Sequence, residues 1–271
     1  MTIADFDGVR YHVYNLDDDN SCVFLSMSLR CIEDLVPYGV GDCINGLYGA
    51  FVVDTESGYD VTLRFPLTEI PEEDHEALAH EVALLKRNLM SVPFEAFFDA
   101  VGSAASVERA EIKYRPNESI WIMADKDKAT VVFSIEFEDQ DDVVYGKVFL
   151  QEFKDARRKI KAAPPFEFYN NELPLELRDL EGSIRQSENT GFCVFVLFPG
   201  HFDRQHRDKT ISVLPTFRSY LSYHLSCARA YLHSAMRRRV VSLLKILNRA
   251  RMEPKEKKAK KTMSGRTFGR K

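Results

Sequence analysis

No apolar run in this chain approaches bilayer length. The longest strictly apolar stretch, residues 192–198, has seven residues, against roughly 20 for a membrane-spanning helix, so no transmembrane segment is expected. The opening MTIADFDGVR meets acidic residues at once. It has no basic start, apolar block or small-residue cleavage site, which sets a cytosolic rather than a secreted expectation. Cysteines are few and odd in number: Cys22, Cys31, Cys43, Cys193 and Cys227 lie in or near apolar runs without close pairing. Reduced, mostly buried thiols are expected rather than a disulfide framework. With only 13 glycines and 11 prolines in 271 residues, a fibrous chain is excluded.

Catalytic signatures are also missing. His75 and His80 are five residues apart, as are His201 and His206. On a helix that spacing puts the two rings about 140° apart, so they cannot share a metal as an i, i+4 pair does. Gly39, Gly41 and Gly46 do not complete a dinucleotide fingerprint, and neither a phosphate loop nor a nucleophile elbow occurs. Asp139, Asp141 and Asp142 form an acidic turn; a solvated hairpin is preferred over weak calcium binding.

What is present is a folding composition, 45% hydrophobic, 29% charged and 11% aromatic, enough apolar surface to offset chain entropy over most of the length. The net charge of -4 hides an asymmetry. From His201 onward, 19 Lys and Arg face 4 Asp and Glu, a net of +15, so the first 200 residues hold 18 against 37, a net of -19. Such a cationic block meets an anionic surface or is a solvated face with a lysine-rich tail.

Short β-favouring runs at 9–14, 22–29, 48–53 and 59–67 are separated by turn chemistry at 17–20, 39–46 and 54–58. The period then becomes helical, with Leu78, Val82, Leu85 and Leu89 at steps of four, three and four. That spacing predicts a helix over 72–90, resuming at 93–100. After a small-residue linker at 102–106, strands are expected at 110–114, 119–124, 130–137 and 143–153 as an antiparallel meander. A proline-containing excursion over 162–186, a strand at 192–198 and a very long helix complete the pattern. The expected fold is α+β: two similar domains, each an antiparallel sheet backed by a helix, then the long carboxy-terminal helix. The boundaries are 1–102, 107–252 with the helix at about 208–250, and a basic tail at 253–271.

The last helix carries most of the information. Ile211, Leu214, Phe217, Leu221, Leu225, Ala228, Leu232, Met236, Val240, Leu243 and Leu247 recur at an average step of about 3.6, the straight α-helical period. Asp208 is the expected cap and Pro215 is tolerable in the first turn. Some 40 residues extend on the order of 60 Å, beyond a domain whose radius of gyration is about 13 Å. The part of the stripe from Leu225 through Leu232, Met236, Val240, Leu243 and Leu247 therefore needs a partner protein to cover it. The alternative is a break near Arg237, Arg238 and Arg239 that folds the end back onto the sheets. Around the stripe stand Arg218, Tyr220, Tyr223, Arg229, Tyr231, Arg237, Arg238, Arg239, Lys245, Arg249 and Arg251, the residue types that dominate interface energetics. Phe217 lies on the stripe and reads as core; Tyr220 lies off it and reads as a contact. The same arginines and tyrosines would also serve a nucleic-acid-binding module.

DFDGVRYH (5–12), YGAFVVDTESGYDVTL (48–63), LLKRN (84–88), VVFSIEF (131–137), DDVVYGKVFLQEFKDARR (141–158), PLELRD (174–179), FVLFP (195–199), TFRSYLSYH (216–224), LNRAR (247–251) and KTMSGRTF (261–268) together resemble subunit 2 of the actin-related protein 2/3 complex, nearly end to end. The resemblance implies two similar α/β domains and a long helix packed on the equivalent helix of subunit 4, at the centre of an assembly that nucleates a daughter actin filament on a mother filament. It implies no enzymatic activity and no cofactor, nucleotide being bound by the two actin-related subunits, and an address in the cytoplasm at the actin cytoskeleton. It places filament contacts at Phe217, Tyr220 and Lys245, so that Phe217 becomes an interface residue against its stripe position. Arg237, Arg238 and Arg249 join them by charge, and Arg157 and Arg158, after the expected last hairpin, form a second site by charge and position. With this resemblance the nucleic-acid reading recedes. The family pattern includes a further amino-terminal segment with a short amphipathic helix, whereas this sequence opens at the first strand.

Overall fold

A computed structural model describes residues 1–250 apart from 6, 17–20, 104–107 and 161, and at 156–158 and 250 it describes the backbone. The expected turn at 17–20, most of the expected linker and the basic tail at 253–271 lie outside the described residues. The chain forms two compact units, Met1–Leu225 and Ser226–Lys271.

The first unit holds both expected antiparallel sheets. In the first sheet β1 (Thr2–Ala4), β2 (Arg10–Tyr14) and β3 (Cys22–Ser28) are followed by two short helices, α1 (Ile32–Leu35) and α2 (Val40–Tyr48), before β4 (Val61–Pro66) closes the order β1-β2-β3-β4. Met27 pairs with Val61 and Leu25 with Leu63, so the alternation turns Met27, Val61, Leu63 and Phe65 into the core. Here the expected strand at 48–53 and turn at 39–46 are corrected. Residues 40–48 are helical, and only Val52 makes an isolated bridge, to Leu63. Gly39, at φ 91°, ends one 3₁₀ turn and opens α2, so its glycine marks a junction between helices rather than a loop.

The helical period after Pro71 is realised as a 3₁₀ turn at Glu72–Asp74, α3 (His75–Ala83) and α4 (Leu85–Ala100). The break falls at Leu84, and Pro93 is carried inside α4 as a buried residue. Burial of Phe94, Phe97 and Phe98 beyond it outweighs the hydrogen bond that proline removes. α4 packs against α1 and α2 and also against the second sheet.

That sheet contains β5 (Ala110–Arg115), β6 (Glu118–Ala124) and β7 (Ala129–Glu136). The next segment is not the expected strand at 143–153 but a helix, α5 (Gln140–Lys159). The β-branched Val143, Val144 and Val148 suggest a strand locally. The buried positions nevertheless run Val143, Gly146 and Leu150, with Phe149 and Phe153 beside them, and that is helical spacing. Asp139 caps its start by accepting the Asp142 N–H at 2.8 Å, which is the role of the acidic turn. At Gly146 the helix lies so close to the Phe137 ring that a Cβ would sit 2.5 Å from it.

β8 (Phe166–Asn170), a 3₁₀ segment at Leu175–Leu180 and β9 (Thr190–Leu197) complete the order β5-β6-β7-β9-β8. The inner face joins the main core. On the outer face Trp121, Val132, Phe192 and Val194 form a second cluster beneath Leu177, pinned by Arg109 to the Asp179 carboxylate at 2.8 and 3.0 Å. The excursion at 162–186 therefore supplies both an edge strand and the cover of the sheet.

The long helix is interrupted once. α6 (Arg207–Val213) ends before a turn at 214–216, and α7 runs without a break over Phe217–Ala250. Pro215 ends the first piece instead of sitting within it. Asp208 lies inside α6, where the Arg87 guanidinium pairs with it, and is not the cap. α7 continues through Arg237, Arg238 and Arg239, so the expected alternative of a break there is corrected.

Candidate interaction surface on the carboxy-terminal helix

Within the first unit, α7 begins as a core element. Phe217 is 4% exposed, and its ring lies 4.9 Å from Phe195, 5.3 Å from Phe133, 6.0 Å from Phe153 and 6.4 Å from Phe166. This corrects its placement among the surface contacts, since a ring enclosed by four others offers no area to a second protein. Leu221 and Leu225 are buried with it, so Leu225 drops out of the exposed stripe as well.

Arg218 is buried too. Its Nε lies 3.0 Å from both Glu118 carboxylate oxygens and its Nη2 2.8 Å from Oε1. Glu118 also accepts the Tyr114 hydroxyl at 3.1 Å and the Glu136 N–H at 2.8 Å. Burial pulls the Arg218 pKa down, but the adjacent Glu118 carboxylate more than compensates and holds it above its ordinary value. Beside it Ser219 donates to Asp7 at 2.8 Å, and Lys86 reaches Asp7 and Asp5 at 2.5 Å.

Outside this anchored turn stands Tyr220, 49% exposed. Its ring meets His224 edge-on at 4.2 Å, and His224 in turn stacks on Phe149 of α5 at 5.1 Å. Tyr223 is exposed next to them. α5 adds the exposed Val144 and Val148 to the same unit's surface.

In the second unit no described residue of α7 is buried. Leu232 is 37% exposed, and Met236, Val240, Leu243 and Leu247 are each more than half exposed. At 100° per residue these five fall within an arc of about 80°. Leu244, Ile246 and Val241, also exposed, widen it to roughly 220°. Tyr231, Arg238, Lys245 and Arg249 share an arc of about 40° on the opposite side, and Arg237 lies on the flank beside Leu244. Arg239 falls within the apolar arc. The sequence spacing brings Arg238, Lys245 and Arg249 together but sets Arg237 apart from them. Arg157 and Arg158 lie in the last turns of α5 rather than in a loop, and their side chains lie outside the described residues.

Sequence reasoning missed Val241, Leu244 and Ile246, which a single 3.6-residue stripe leaves out, and the acceptors of the anchored turn, Glu118 and Asp7, which lie far away in sequence. Cys227, expected among mostly buried thiols, is exposed, whereas Cys31 and Cys193 are buried. Burial pushes the Cys31 thiol up to about 12. A cleft between α2 and α4, lined by Cys43, Arg87, Asn88, Ser91 and Glu95, has its polar groups bonded within the chain: Arg87 to Ser212, Asn88 to Tyr48 and Ser91 to Glu95. Among the described residues no three His, Cys, Asp or Glu side chains group as metal ligands do, and no helix is long and apolar enough to cross a membrane.

The model of the family described as "Arp2/3 complex, 34 kD subunit p34-Arc" matches residues 25–254. Two curated proteins, each named actin-related protein 2/3 complex subunit 2, are similar throughout. That of Schizosaccharomyces pombe is 37% identical over 292 aligned positions, covering 100% of this chain and 91% of the relative. That of Dictyostelium discoideum is 38% identical over 267, covering 98% and 89%.

Proposed function

This chain belongs to the p34-Arc family, the 34 kD subunit of the Arp2/3 complex, and is a structural subunit of that complex; we propose that within it the chain acts as a scaffold and filament clamp. Leu232, Met236, Val240, Leu243 and Leu247 pack against the long helix of subunit 4. Tyr220, Lys245, Arg238 and Arg249, with Arg237 on the flank and Arg157 and Arg158 as a second cationic site, meet the side of the mother filament. Phe217 enters that face only as the anchor of the turn that carries Tyr220. The remaining subunits, including the two actin-related proteins, are built around this centre in the cytoplasm. The division into 1–102, 107–252 and a basic tail at 253–271 is part of the same reading.

The observation that carries the proposal is the two-sided character of residues 226–249, apolar on one arc and cationic on another. Between Asp208 and Glu253 the sequence contains no acidic residue, so Arg238, Lys245 and Arg249 have no carboxylate of their own stretch beside them. Leucine, valine and methionine exposed over a continuous arc need cover, while a run of cations speeds encounter with an acidic polymer and fixes its orientation. Tyrosine and arginine are the residue types that anchor such contacts.

The test is cosedimentation of the reassembled complex with actin filaments across a salt series. Lys245→Glu is expected to leave assembly intact and to weaken filament binding on the order of tenfold at low salt, with the difference from wild type shrinking as salt rises. Wild-type binding by the Lys245→Glu complex at low salt would remove this face from the filament contact.

A further inference from the structure

Apolar packing and the polar contacts of Arg218 and Ser219 hold the first turns of α7, and the two kinds of contact differ in what they can specify. Phe217, Leu221 and Leu225 follow one another at steps of four, so they cover an arc of about 80°. Packing of this kind is largely non-directional, and on its own it tolerates a turn of the helix about its axis. Hydrogen bonds do not, because they weaken steeply as their angle closes. Arg218 spreads its guanidinium over both Glu118 oxygens and reaches the Glu136 carbonyl at 3.3 Å. Ser219, about 100° further round the helix, bonds Asp7.

These two contacts are referred to different elements of the first unit. Glu118 is held at the start of β6 by Tyr114 of β5 and by the Glu136 N–H at the end of β7. Asp7, in the turn before β2, is held by Lys86 of α4. The side chains involved are almost fully buried, with Glu118 3%, Arg218 6% and Asp7 7% exposed. A buried ion pair rarely adds stability over apolar residues of similar volume, because desolvation consumes the Coulombic gain.

We propose that the Glu118–Arg218 pair, together with the Ser219–Asp7 hydrogen bond, is a positioning device that sets the rotation of α7 about its axis rather than a source of stability. Glu118 and Arg218 are positioning residues. What they position is the outward sector of Tyr220, Tyr223 and His224, with His224 turned onto Phe149. The inference uses the filament reading only for its consequence, and its test needs no actin.

The experiment replaces the pair by apolar residues, Glu118→Leu with Arg218→Met, in the reassembled complex carrying Cys227→Ser. Cysteines at Phe149 and at either Tyr223 or His224 are then joined by a short bismaleimide. With the native pair, the 149–224 link is expected to form much faster than the 149–223 link. In the double variant the melting temperature should fall less than in Arg218→Met alone, the Tyr114 hydroxyl and the Glu136 N–H being left without their acceptor, while the ratio of the two links falls roughly tenfold, the scale of one or two buried hydrogen bonds. Arg218→Lys keeps the charge but loses the planar fork, so the ratio is expected to fall with this variant too, by less. An unchanged ratio in a folded double variant overturns the proposal. So does a double variant that does not fold while Arg218→Lys keeps the native ratio, because the pair then serves stability alone. Filament binding by Lys245→Glu tests the other reading separately.

Discussion

Two stretches of α7 have similar sequences and opposite surroundings. Over residues 217–225 the side chains at helical spacing, Phe217, Arg218, Leu221 and Leu225, are buried, and the cation among them is paired. Over residues 226–249 the same spacing continues through Leu232, Met236, Val240, Leu243 and Leu247, yet none is buried and the cations on the other arc face no acid of their own helix. A helix cannot choose between these states by its own periodicity; what differs is whether a second surface packs against it. Covering five such side chains is worth on the order of 10 kcal/mol at about 2 kcal/mol each. On the proposed reading that driving force goes to the seam with the partner helix.

The comparison breaks most clearly at the apolar arc. Met236→Asp with Leu243→Asp should reduce recovery of the complex with this subunit by roughly 100-fold or more, since charges would be buried at the centre of a seam. The thermal unfolding of the first unit should not change, and copurification read beside calorimetry checks both halves. Leu221→Asp, a similar change one stretch earlier, is expected to cost more than about 4 kcal/mol, the tail reached by unpaired charges in a core.

Single removal of the anchored cation comes next. Arg218→Ala leaves Glu118 buried without its partner and should cost about 3–5 kcal/mol in denaturant unfolding, whereas Arg238→Ala should stay within about 0.5 kcal/mol. A cost for Arg238→Ala close to that of Arg218→Ala would mean that the second stretch is covered after all. The aromatic pair sharpens the same contrast: Phe217→Ala is expected to cost about 3–5 kcal/mol. Tyr220→Ala should cost no more than about 1 kcal/mol, chiefly its edge contact with His224, while filament retention falls several-fold.

The α+β class, both antiparallel sheets and the long helix were legible because alternation and 3.6-residue spacing are local signals. The stripe was legible for the same reason. The element at 140–159 was not, because three valines gave strand propensity while the helical burial of Val143, Gly146 and Leu150 becomes visible only once Phe137 is seen to take up the space at Gly146. Propensity lost to tertiary packing there. Residues 40–48 misled through their glycines, which read as turn chemistry but stand in and beside a helix. At the candidate surface, the exposure of Tyr220 was legible from its place off the stripe. The burial of Arg218 was not, because its partner Glu118 is 100 residues away and no spacing rule connects them. Phe217 is the instructive case: its periodic position indicated core, the resemblance indicated surface, and the ring lies in the core.

The smallest effect concerns how α6 is held before α7 begins. Arg207 donates to both Asp99 oxygens, at 2.5 and 2.9 Å, tying α6 to the end of α4. The hydrogen bond from Arg207 holds the Asp99 carboxyl below the usual carboxylate range, against a smaller opposing effect of burial. A folded pKa below the unfolded value, about 3.9, means the contribution is complete above that value and is lost as pH falls through the folded pKa. The Asp99 side chain is 67% exposed, so solvent screening limits the contribution to a few tenths of a kcal/mol. Urea unfolding of wild type and Asp99→Asn should therefore differ slightly at pH 6 and converge below about pH 4. Residues 226–249 contain no carboxylate to titrate, so acid in this range should loosen the anchoring of α6 without changing the charge of the cationic arc. If the two proteins stay equally far apart at low pH, the carboxylate is not what ties α6 down, and the Arg87 contacts to Asp208 and Ser212 carry that end of the helix together with the packing of Ile211 and Leu214.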